Sequence, residues 1–204
     1  MSGDRSVSFE PVASICGAVL IGGASSRMGC LKQHLLIEGR TMAEVAVEAL
    51  EDVAERVVIA GAGPVPKTLR RLERVADPVG VSGPMAGVLA AMRRATSAAW
   101  VVVACDMPHV APAAVRWLID QRGRGVQAVL PRVGEEGVEP LLALYEPAVL
   151  QTLEELAAAG RWALHGLVGR PGVVCPIPPP DLAGAWKNVN TPEQFRAFRD
   201  LVVS

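Results

Sequence analysis

Cysteines, aromatic residues and long apolar runs are all scarce in this sequence. Its four cysteines in 204 residues are widely spaced and form no Cys-x-x-Cys pair, which excludes a disulfide scaffold and a cysteine-based zinc or redox site. The longest uninterrupted apolar run, Ala98 to Cys105, is far shorter than the roughly 20 residues that a membrane span needs. We therefore expect a protein that crosses no bilayer and depends on its apolar core for stability.

An excess of charge of one sign is also missing. The 20 Lys and Arg residues nearly balance the 21 Asp and Glu residues, whereas proteins that bind phosphate backbones without sequence preference usually carry a basic excess. Nucleic acids and membranes are therefore not expected partners. The first residues contain no basic segment followed by an apolar one, so we expect no secretory signal and a cytoplasmic protein.

Apolar residues, in contrast, make up 50% of the chain. A chain of this length suits one core, and we expect a flexible segment over residues 1–14 and a single domain over residues 15–204. Short runs rich in Val and Ile alternate with stretches of helical spacing, which predicts an α/β fold with a largely parallel sheet. The runs are Ile15–Ile21, Arg56–Ala60, Trp100–Cys105 and Gln127–Leu130.

Capping signals and prolines predict where the helices begin. The segments Thr41–Glu44 and Thr191–Gln194 fit the capping box, in which two side chains satisfy backbone donors at a helix start. Proline suits the first helical turn because its nitrogen carries no hydrogen. These signals predict helices from Thr41, near Pro84, from Pro112, from Pro147 and from Thr191. The proline-rich segment Pro171–Pro180 predicts an extended connection or an edge strand.

A glycine-rich loop follows the first predicted strand. Residues 22–29 contain three glycines and Arg27, and Lys32 comes shortly after. Glycines let the backbone approach a ligand closely, and successive amides can then bind phosphate oxygens. With the two cations, the loop predicts a polyanion site. It lacks the Walker A and GxGxxG patterns, and a generic glycine turn with solvated cations is the alternative.

Asp106 is the candidate metal ligand. It directly follows the run Trp100–Cys105, a position at the carboxyl edge of a parallel sheet, where open α/β folds bind ligands. Magnesium favours one or two carboxylates together with substrate phosphate oxygens and water, so one aspartate is enough if a nucleotide supplies the rest. The alternative is that Asp106 only forms a turn before Pro108.

Three further segments have a purely structural interpretation as well. Ser82–Gly87, Glu139–Tyr145 and Trp186–Pro192 are typical of a helix start, a strand with a proline entry, and a strand followed by a capped helix. The segment Gly61–Gly63 also follows a strand, but Pro66 occupies the place of a third glycine, so it is a weak dinucleotide-binding signal.

Taken together, these motifs resemble the molybdenum cofactor guanylyltransferase family. The resemblance runs in order from about residue 15 to the C-terminus. Three features point to this branch of the nucleotidyltransferases: the Gly83–Gly87 segment, the C-terminal segment Asn188–Glu193 and the short length of the chain. The segments that carry the resemblance are Leu20–Gly29 with Lys32, Gly83–Gly87, Cys105–Pro108, Glu139–Leu141 and Asn188–Glu193.

The resemblance implies a three-layer, Rossmann-like nucleotidyltransferase fold with a mostly parallel, mixed sheet. It implies transfer of GMP from GTP to the terminal phosphate of molybdenum-molybdopterin, with Mg²⁺ as cofactor and pyrophosphate as second product. GTP and molybdopterin are then the small-molecule partners, beside other proteins of cofactor biosynthesis or acceptor proteins. The implied nucleotide-binding residues are Leu20, Ile21, Gly22, Gly23, Lys32, Asp77 and Asp106. The expected catalytic set is Arg27, Lys32 and Asp106, with Asp106 as the metal ligand.

Three positions depart from the family pattern. Leu31 stands where the family often has Asp, Ala60 where it often has Asn, and Glu139 where His or Gln usually precedes Pro-Leu. A cytidylyltransferase for the same pterin and a GTP-binding accessory protein without transfer activity therefore remain as alternatives. The alternation of strands and helices alone also fits a dinucleotide-dependent oxidoreductase.

Overall fold

The structure of the protein, a computed structural model, describes residues 13–22, 35–37, 39–134 and 137–202. The expected flexible segment lies mostly outside these residues, so it stays a prediction. The strands are β1 (Ile15–Leu20), β2 (Leu36–Ile37), β3 (Arg40–Thr41), β4 (Arg56–Ala60), β5 (Glu73–Val75), β6 (Ala99–Ala104), β7 (Ala128–Val129), β8 (Arg132–Val133), β9 (Gly137–Val138), β10 (Leu142–Tyr145) and β11 (Val173–Val174). The helices are α1 (Met42–Glu51), α2 (Pro84–Arg94), α3 (Pro112–Asp120), α4 (Leu150–Ala158) and α5 (Pro192–Val202).

Seven of these strands form one mixed sheet, in the spatial order β11-β7-β10-β6-β1-β4-β5. Strand β1 is parallel to both of its neighbours, β4 and β6, and β5 is parallel to β4. Strand β10 runs antiparallel to β6 and β7. Strand β11 lies at the edge of the sheet, as the proline-rich segment predicts. The expected mostly parallel, mixed sheet is therefore confirmed.

Helices cover both faces of the sheet. Helices α1 and α3 pack on one face and α2 and α4 on the other, which gives the expected three layers. Along β6, Val101 and Val103 belong to the apolar cluster on the first face, while Trp100 and Val102 belong to the cluster on the second. Because β6 is buried on both faces, its sequence is an unbroken apolar run.

Both predicted capping boxes are present. Glu44 donates its backbone N–H to Thr41 Oγ1 at 3.2 Å, and Thr41 donates its own N–H to the Glu44 carboxylate. Gln194 and Thr191 make the same exchange at the start of α5. The prolines predicted at the starts of α2 and α3 are also confirmed. Local hydrogen bonds therefore determine where α1 and α5 begin.

Two segments differ from the expected structure. The helix expected from Pro147 begins as a 3-10 turn, Pro147–Val149, and becomes α-helical only at Leu150. The strand expected near Trp186 is wrong, because a 3-10 helix, Ala183–Trp186, lies there. The Trp186 indole is buried and donates to the Leu142 carbonyl oxygen at 2.8 Å, and this contact holds the chain in a turn.

The order β5-β4-β1-β6 brings the carboxyl ends of four parallel strands to one edge of the sheet. Backbone hydrogen bonds hold these ends together: the Ile21 N–H donates to the Ala60 oxygen at 2.8 Å, and the Cys105 N–H donates to the Leu20 oxygen at 3.1 Å. Gly22, Gly61, Asp77 and Asp106, which belong to the candidate motifs or sites, lie at this edge. None of the described helices has the length and apolar character of a membrane span.

Candidate active site

A cleft of about 560 Å³ opens at the carboxyl edge of β5, β4, β1 and β6. Its volume is within the range of small-molecule sites, and its place is where open α/β sheets bind ligands. The residues that follow each of the four strands form most of its walls. These are Asp77 after β5, 60–63 around the end of β4, 20–22 around the end of β1, and 104–106 around the end of β6.

The cleft brings together the predicted site residues that the structure describes. Leu20, Ile21, Gly22, Asp77 and Asp106 all line it. Asp77 lies beyond β5 at one end, and Asp106 lies beyond β6 at the other. Since neighbouring strands are about 4.8 Å apart, the three steps between β5 and β6 span about 14 Å. The cleft is therefore long enough for a ligand with two recognised ends.

Part of the predicted site lies outside the described residues. Gly23, Arg27 and Lys32 lie outside the described residues, and so does Leu31. Their expected roles in binding phosphate and base stay predictions.

Two glycines at neighbouring strand ends shape the middle of the cleft. Gly22 follows β1 with φ +111°, and Gly61 follows β4 with φ +113°, a backbone region that side chains rarely adopt. A Cβ atom on Gly61 would also overlap the carbonyl oxygen of Ile21. Only glycine fits this position, because the loop after β4 lies directly against the end of β1.

Gly87 allows α2 to pack closely on the floor of the cleft. A Cβ atom at this position would lie 2.7 Å from Leu20 Cδ2 and 3.5 Å from Ala60 Cβ. Gly83 and Pro84, at the start of α2, also line the cleft. The segment Ser82–Gly87 is therefore a helix start, as its sequence predicts, and a wall of the cleft as well.

A half-buried acidic side chain, Glu139, lies near Asp106. Glu139 accepts hydrogen bonds from the Leu141 backbone N–H at 2.8 Å and from Asn188 Nδ2 at 3.1 Å. Burial raises the pKa of the Glu139 carboxyl above its ordinary value, and the negative charge of Asp106 adds to this effect, while the two hydrogen bonds oppose it. The carboxyl is therefore protonated more easily than an ordinary glutamate.

Glu139 also determines how Asn188 is oriented. Because a carboxylate only accepts hydrogen bonds, Asn188 turns its NH₂ group towards Glu139. Its Oδ1 atom is then buried and has no hydrogen-bond partner among the described residues. The next residue, Val189, donates its N–H to the Asp106 backbone oxygen at 2.9 Å and keeps this segment beside the β6 loop. An unpaired buried acceptor marks a place where a donor or a cation would be stabilising.

The described residues provide few side chains that could hold a cation in this cleft. No group of three or more His, Cys, Asp or Glu side chains that could hold a metal ion occurs in the part of the chain that the structure describes. His165 Nε2 is hydrogen-bonded with the Val138 oxygen at 2.9 Å, and His109 packs edge-on against Phe198. Neither histidine lines the cleft. The carboxylates that line the cleft are Asp77 and Asp106, and Asp106, directly after β6, is the predicted ligand of a ligand-bound cation.

The loop after β4 is more important than its sequence indicates. The spacing of Gly61 and Gly63 predicts only a weak dinucleotide site, yet both residues line the cleft. The signal that identifies them is position, because they follow a strand that pairs with β1. Cys105 and Leu141 also line the cleft, but apolar residues at strand ends carry no functional signal by themselves.

Comparisons with known proteins agree with this geometry. The model of the MobA-like NTP transferase domain matches residues 17–169. A probable molybdenum cofactor guanylyltransferase of Opitutus terrae is 36% identical over 163 residues, which cover 76% of this chain and 78% of the relative. Another, of Thermococcus gammatolerans, is 33% identical over 187 residues, which cover 88% of this chain and 96% of the relative.

The fold is found in a solved structure as well. The crystal structure of molybdopterin-guanine dinucleotide biosynthesis protein A from Archaeoglobus fulgidus matches with a TM-score of 0.75 at 24% identity, over 92% of this chain and 98% of that chain. At this identity the likeness shows the fold alone. The family model, in contrast, spans well over half of the chain and includes most of β1, the α2 segment and Asp106. The chain therefore belongs to the MobA-like NTP transferase family.

Proposed function

We propose that the protein transfers GMP from GTP to the terminal phosphate of molybdenum-molybdopterin, forming the guanine dinucleotide form of the molybdenum cofactor and releasing pyrophosphate. The observation that carries the proposal is a cleft with Asp77 at one end and Asp106 at the other. A nucleoside triphosphate has the matching polarity, with a base at one end and metal-binding phosphates at the other. The names of the similar proteins support the choice of acceptor.

The nucleotide would lie with its base beside Asp77 and its phosphates beside Asp106. A carboxylate accepts hydrogen bonds from the N1 and N2 donors of guanine, and adenine offers no equivalent pair of donors. Gly22 and Gly61 place no side chain in the middle of the cleft, so the ligand can approach the backbone at these two positions. Gly23, which follows Gly22 in the chain, is proposed as a further contact.

Asp106 fits the role of a Mg²⁺ ligand in this arrangement. Its side chain is half-buried in the cleft, and the phosphates of GTP would supply the other oxygen ligands. When bound, Mg²⁺ would neutralise charge on the phosphates and polarise the α-phosphoryl group.

The protein contributes mainly positioning and charge neutralisation. A terminal phosphate oxygen of the acceptor attacks the α-phosphorus of GTP in line, and a new P–O bond forms as the bond to the β-phosphate oxygen breaks. Pyrophosphate leaves with the electron pair of that bond. Because a phosphate monoester has its second pKa near ~6, the attacking group is mostly ionised at neutral pH and needs no strong general base. Arg27 and Lys32, both outside the described residues, would offset the charge on pyrophosphate.

Product analysis with labelled nucleotide tests the proposal. We expect the purified protein, given molybdenum-molybdopterin, Mg²⁺ and GTP labelled at the α-phosphate, to transfer the label to the pterin and release an equal amount of pyrophosphate. GTP labelled at the γ-phosphate is the control, because its label must leave with pyrophosphate. A protein that binds GTP and leaves the α-label on the nucleotide would instead be an accessory protein without transfer activity.

A cytidylyltransferase for the same pterin is the second candidate, and Ala60 is the observation that favours it. Ala60 lines the cleft at the end of β4. Its methyl group cannot make the side-chain hydrogen bonds that an asparagine would offer to guanine. The same labelled assay with CTP distinguishes the two activities.

A further inference from the structure

An arginine on β5 holds the loop that forms one wall of the cleft. Arg74 Nη2 donates to the Gly61 carbonyl oxygen at 2.9 Å and to the Gly63 carbonyl oxygen at 2.8 Å, and Arg74 Nε donates to the Gly61 oxygen at 3.2 Å. The guanidinium group is a rigid planar fork, so it fixes both carbonyl groups together. Arg74 is itself exposed and does not line the cleft.

This contact sets the direction of a backbone donor. The Gly61 carbonyl group and the Ala62 N–H belong to one trans peptide, in which they point in opposite directions. Since the Gly61 carbonyl group points towards Arg74, the Ala62 N–H points away from it. Arg74 therefore controls which side of the loop presents a donor.

The nitrogen of this donor lies close to Gly22. The nitrogen atoms of Ala62 and Gly63 lie 3.7 Å and 3.6 Å from the position that a Cβ atom on Gly22 would occupy, and all three residues line the cleft. Neither N–H donates to an acceptor within the described ranges. A ligand that brings an acceptor to this point would satisfy a donor that is otherwise unpaired.

We infer that Arg74 is a positioning residue for base selectivity, which holds the Gly61–Gly63 loop so that the Ala62 N–H donates to a carbonyl group of the base. The inference rests on the proposed function, which puts the base at this end of the cleft. Guanine presents O6 here as an acceptor. Adenine and cytosine present an amino group at the corresponding place, so one donor would face another. The loop thereby provides discrimination that the Ala60 side chain cannot.

The test compares nucleotides that differ at C6 of the base. Arg74→Met keeps the length of the side chain but removes its donors, and we expect it to lower kcat/KM for GTP about five- to tenfold, mainly through KM. ITP, which also carries O6, should lose the same factor. The triphosphate of 2-aminopurine riboside lacks O6 and should react equally with both proteins. Arg74→Lys keeps the charge without the fork, so it should give an intermediate loss.

Arg94→Met is the matched control. Arg94 is also an exposed arginine that binds β5, through Glu73, but it does not touch the Gly61–Gly63 loop. We expect this variant to leave every ratio between nucleotides unchanged.

Two results would overturn the inference. One is unchanged selectivity in an Arg74→Met protein whose thermal melting shows that it is folded. The other is an equal loss for GTP and for the 2-aminopurine nucleotide, because a general weakening of the cleft affects both alike. Calorimetric binding of the same nucleotides needs no turnover. A protein that binds GTP selectively through Arg74 but transfers nothing would contradict the proposed function and leave this inference intact.

Discussion

Asp106 carries the negative charge at the phosphate end of the cleft, and its replacement by asparagine tests the metal assignment. The amide has nearly the same shape, and the contact with Val189 involves only the backbone oxygen of Asp106, so the fold should persist. We expect Asp106→Asn to lower Mg²⁺-dependent transfer about a hundredfold or more. Pyrophosphate release at a series of Mg²⁺ concentrations measures the effect.

The exposed Asp181 offers a matched control for this substitution. Asp181 lies outside the cleft, and Asp181→Asn should leave turnover unchanged. An Asp106→Asn protein with wild-type turnover and the same Mg²⁺ requirement would show that Asp106 is only a turn residue.

Glu139 predicts a pH dependence of stability. Burial raises the pKa of its carboxyl in the folded protein above the ordinary value of 4.5. At a pH between these two pKa values, the folded protein holds a proton that the unfolded chain releases. The stability from this group is therefore present at low pH and is lost as the pH rises through that window. Glu139→Gln removes the titration, and its Nε2 can donate to Asn188 Oδ1 once the Asn188 amide turns over.

We expect Glu139→Gln to be at least as stable as the wild type at neutral pH. The difference in the free energy of unfolding between the two proteins should shrink as the pH falls to about 4. Urea denaturation at a series of pH values measures it. Glu154→Gln is a control in which the pH dependence of stability should have the opposite sign, because the hydrogen bond from Arg93 lowers the pKa of Glu154. A difference for Glu139→Gln that grows towards low pH would contradict the raised pKa.

At the scale of elements, Gly87 links helix packing to the shape of the cleft. Alanine at this position gains up to about 1 kcal/mol in helix propensity. Its Cβ would push against the far end of the Leu20 side chain. Overpacking of this kind costs about 1–3 kcal/mol, and we expect a cost near ~1 kcal/mol because the end of the Leu20 side chain can move. We expect Gly87→Ala to unfold at nearly the wild-type urea concentration and to raise KM for GTP several-fold, because Leu20 lines the cleft.

Gly184→Ala is the control for Gly87→Ala. A Cβ atom at Gly184 would meet nothing within 4 Å, so KM should not change and stability should stay the same or rise slightly. A large loss of stability in Gly87→Ala with an unchanged KM would mean that the helix moves and Leu20 does not.

The sequence predicts those elements that local interactions decide. The Thr41 and Thr191 capping boxes act within four residues, and the β6 run is apolar because both of its faces are buried. The role of Gly61 depends on β4 lying beside β1, and the turn at Trp186 depends on a contact with Leu142 far away in the chain. Such non-local contacts leave no signal in a short window of sequence, which is why the Arg74 contact could not be predicted.

At the scale of the whole molecule, an ion pair closes the side of the sheet opposite the cleft. Arg122, after α3, binds Glu146, after β10, through two hydrogen bonds, and the side chains are only 12% and 13% exposed. Arg122 also donates to the Ala13 backbone oxygen at 3.2 Å, just before β1. The pair therefore joins segments from three parts of the chain at a distance from the nucleotide.

Removal of one partner should lower stability without changing nucleotide binding. We expect Arg122→Met to lower the free energy of unfolding by about 3–5 kcal/mol, because it leaves the Glu146 charge mostly buried and uncompensated. KM for GTP should not change. The double variant with Glu146→Met should recover most of the loss, since no charge then remains. A double variant as unstable as the single one in urea would contradict this explanation.

The most direct test of the guanylyltransferase assignment is nucleotide preference, measured as kcat/KM for GTP, CTP and ATP in one assay with molybdenum-molybdopterin and Mg²⁺. We expect the highest value for GTP, because Asp77 would accept from guanine N1 and N2 while the Ala62 N–H would donate to O6. In the wild-type protein, a kcat/KM for CTP equal to or above that for GTP would contradict the guanylyltransferase assignment, even with the fold and the Asp106 site as described.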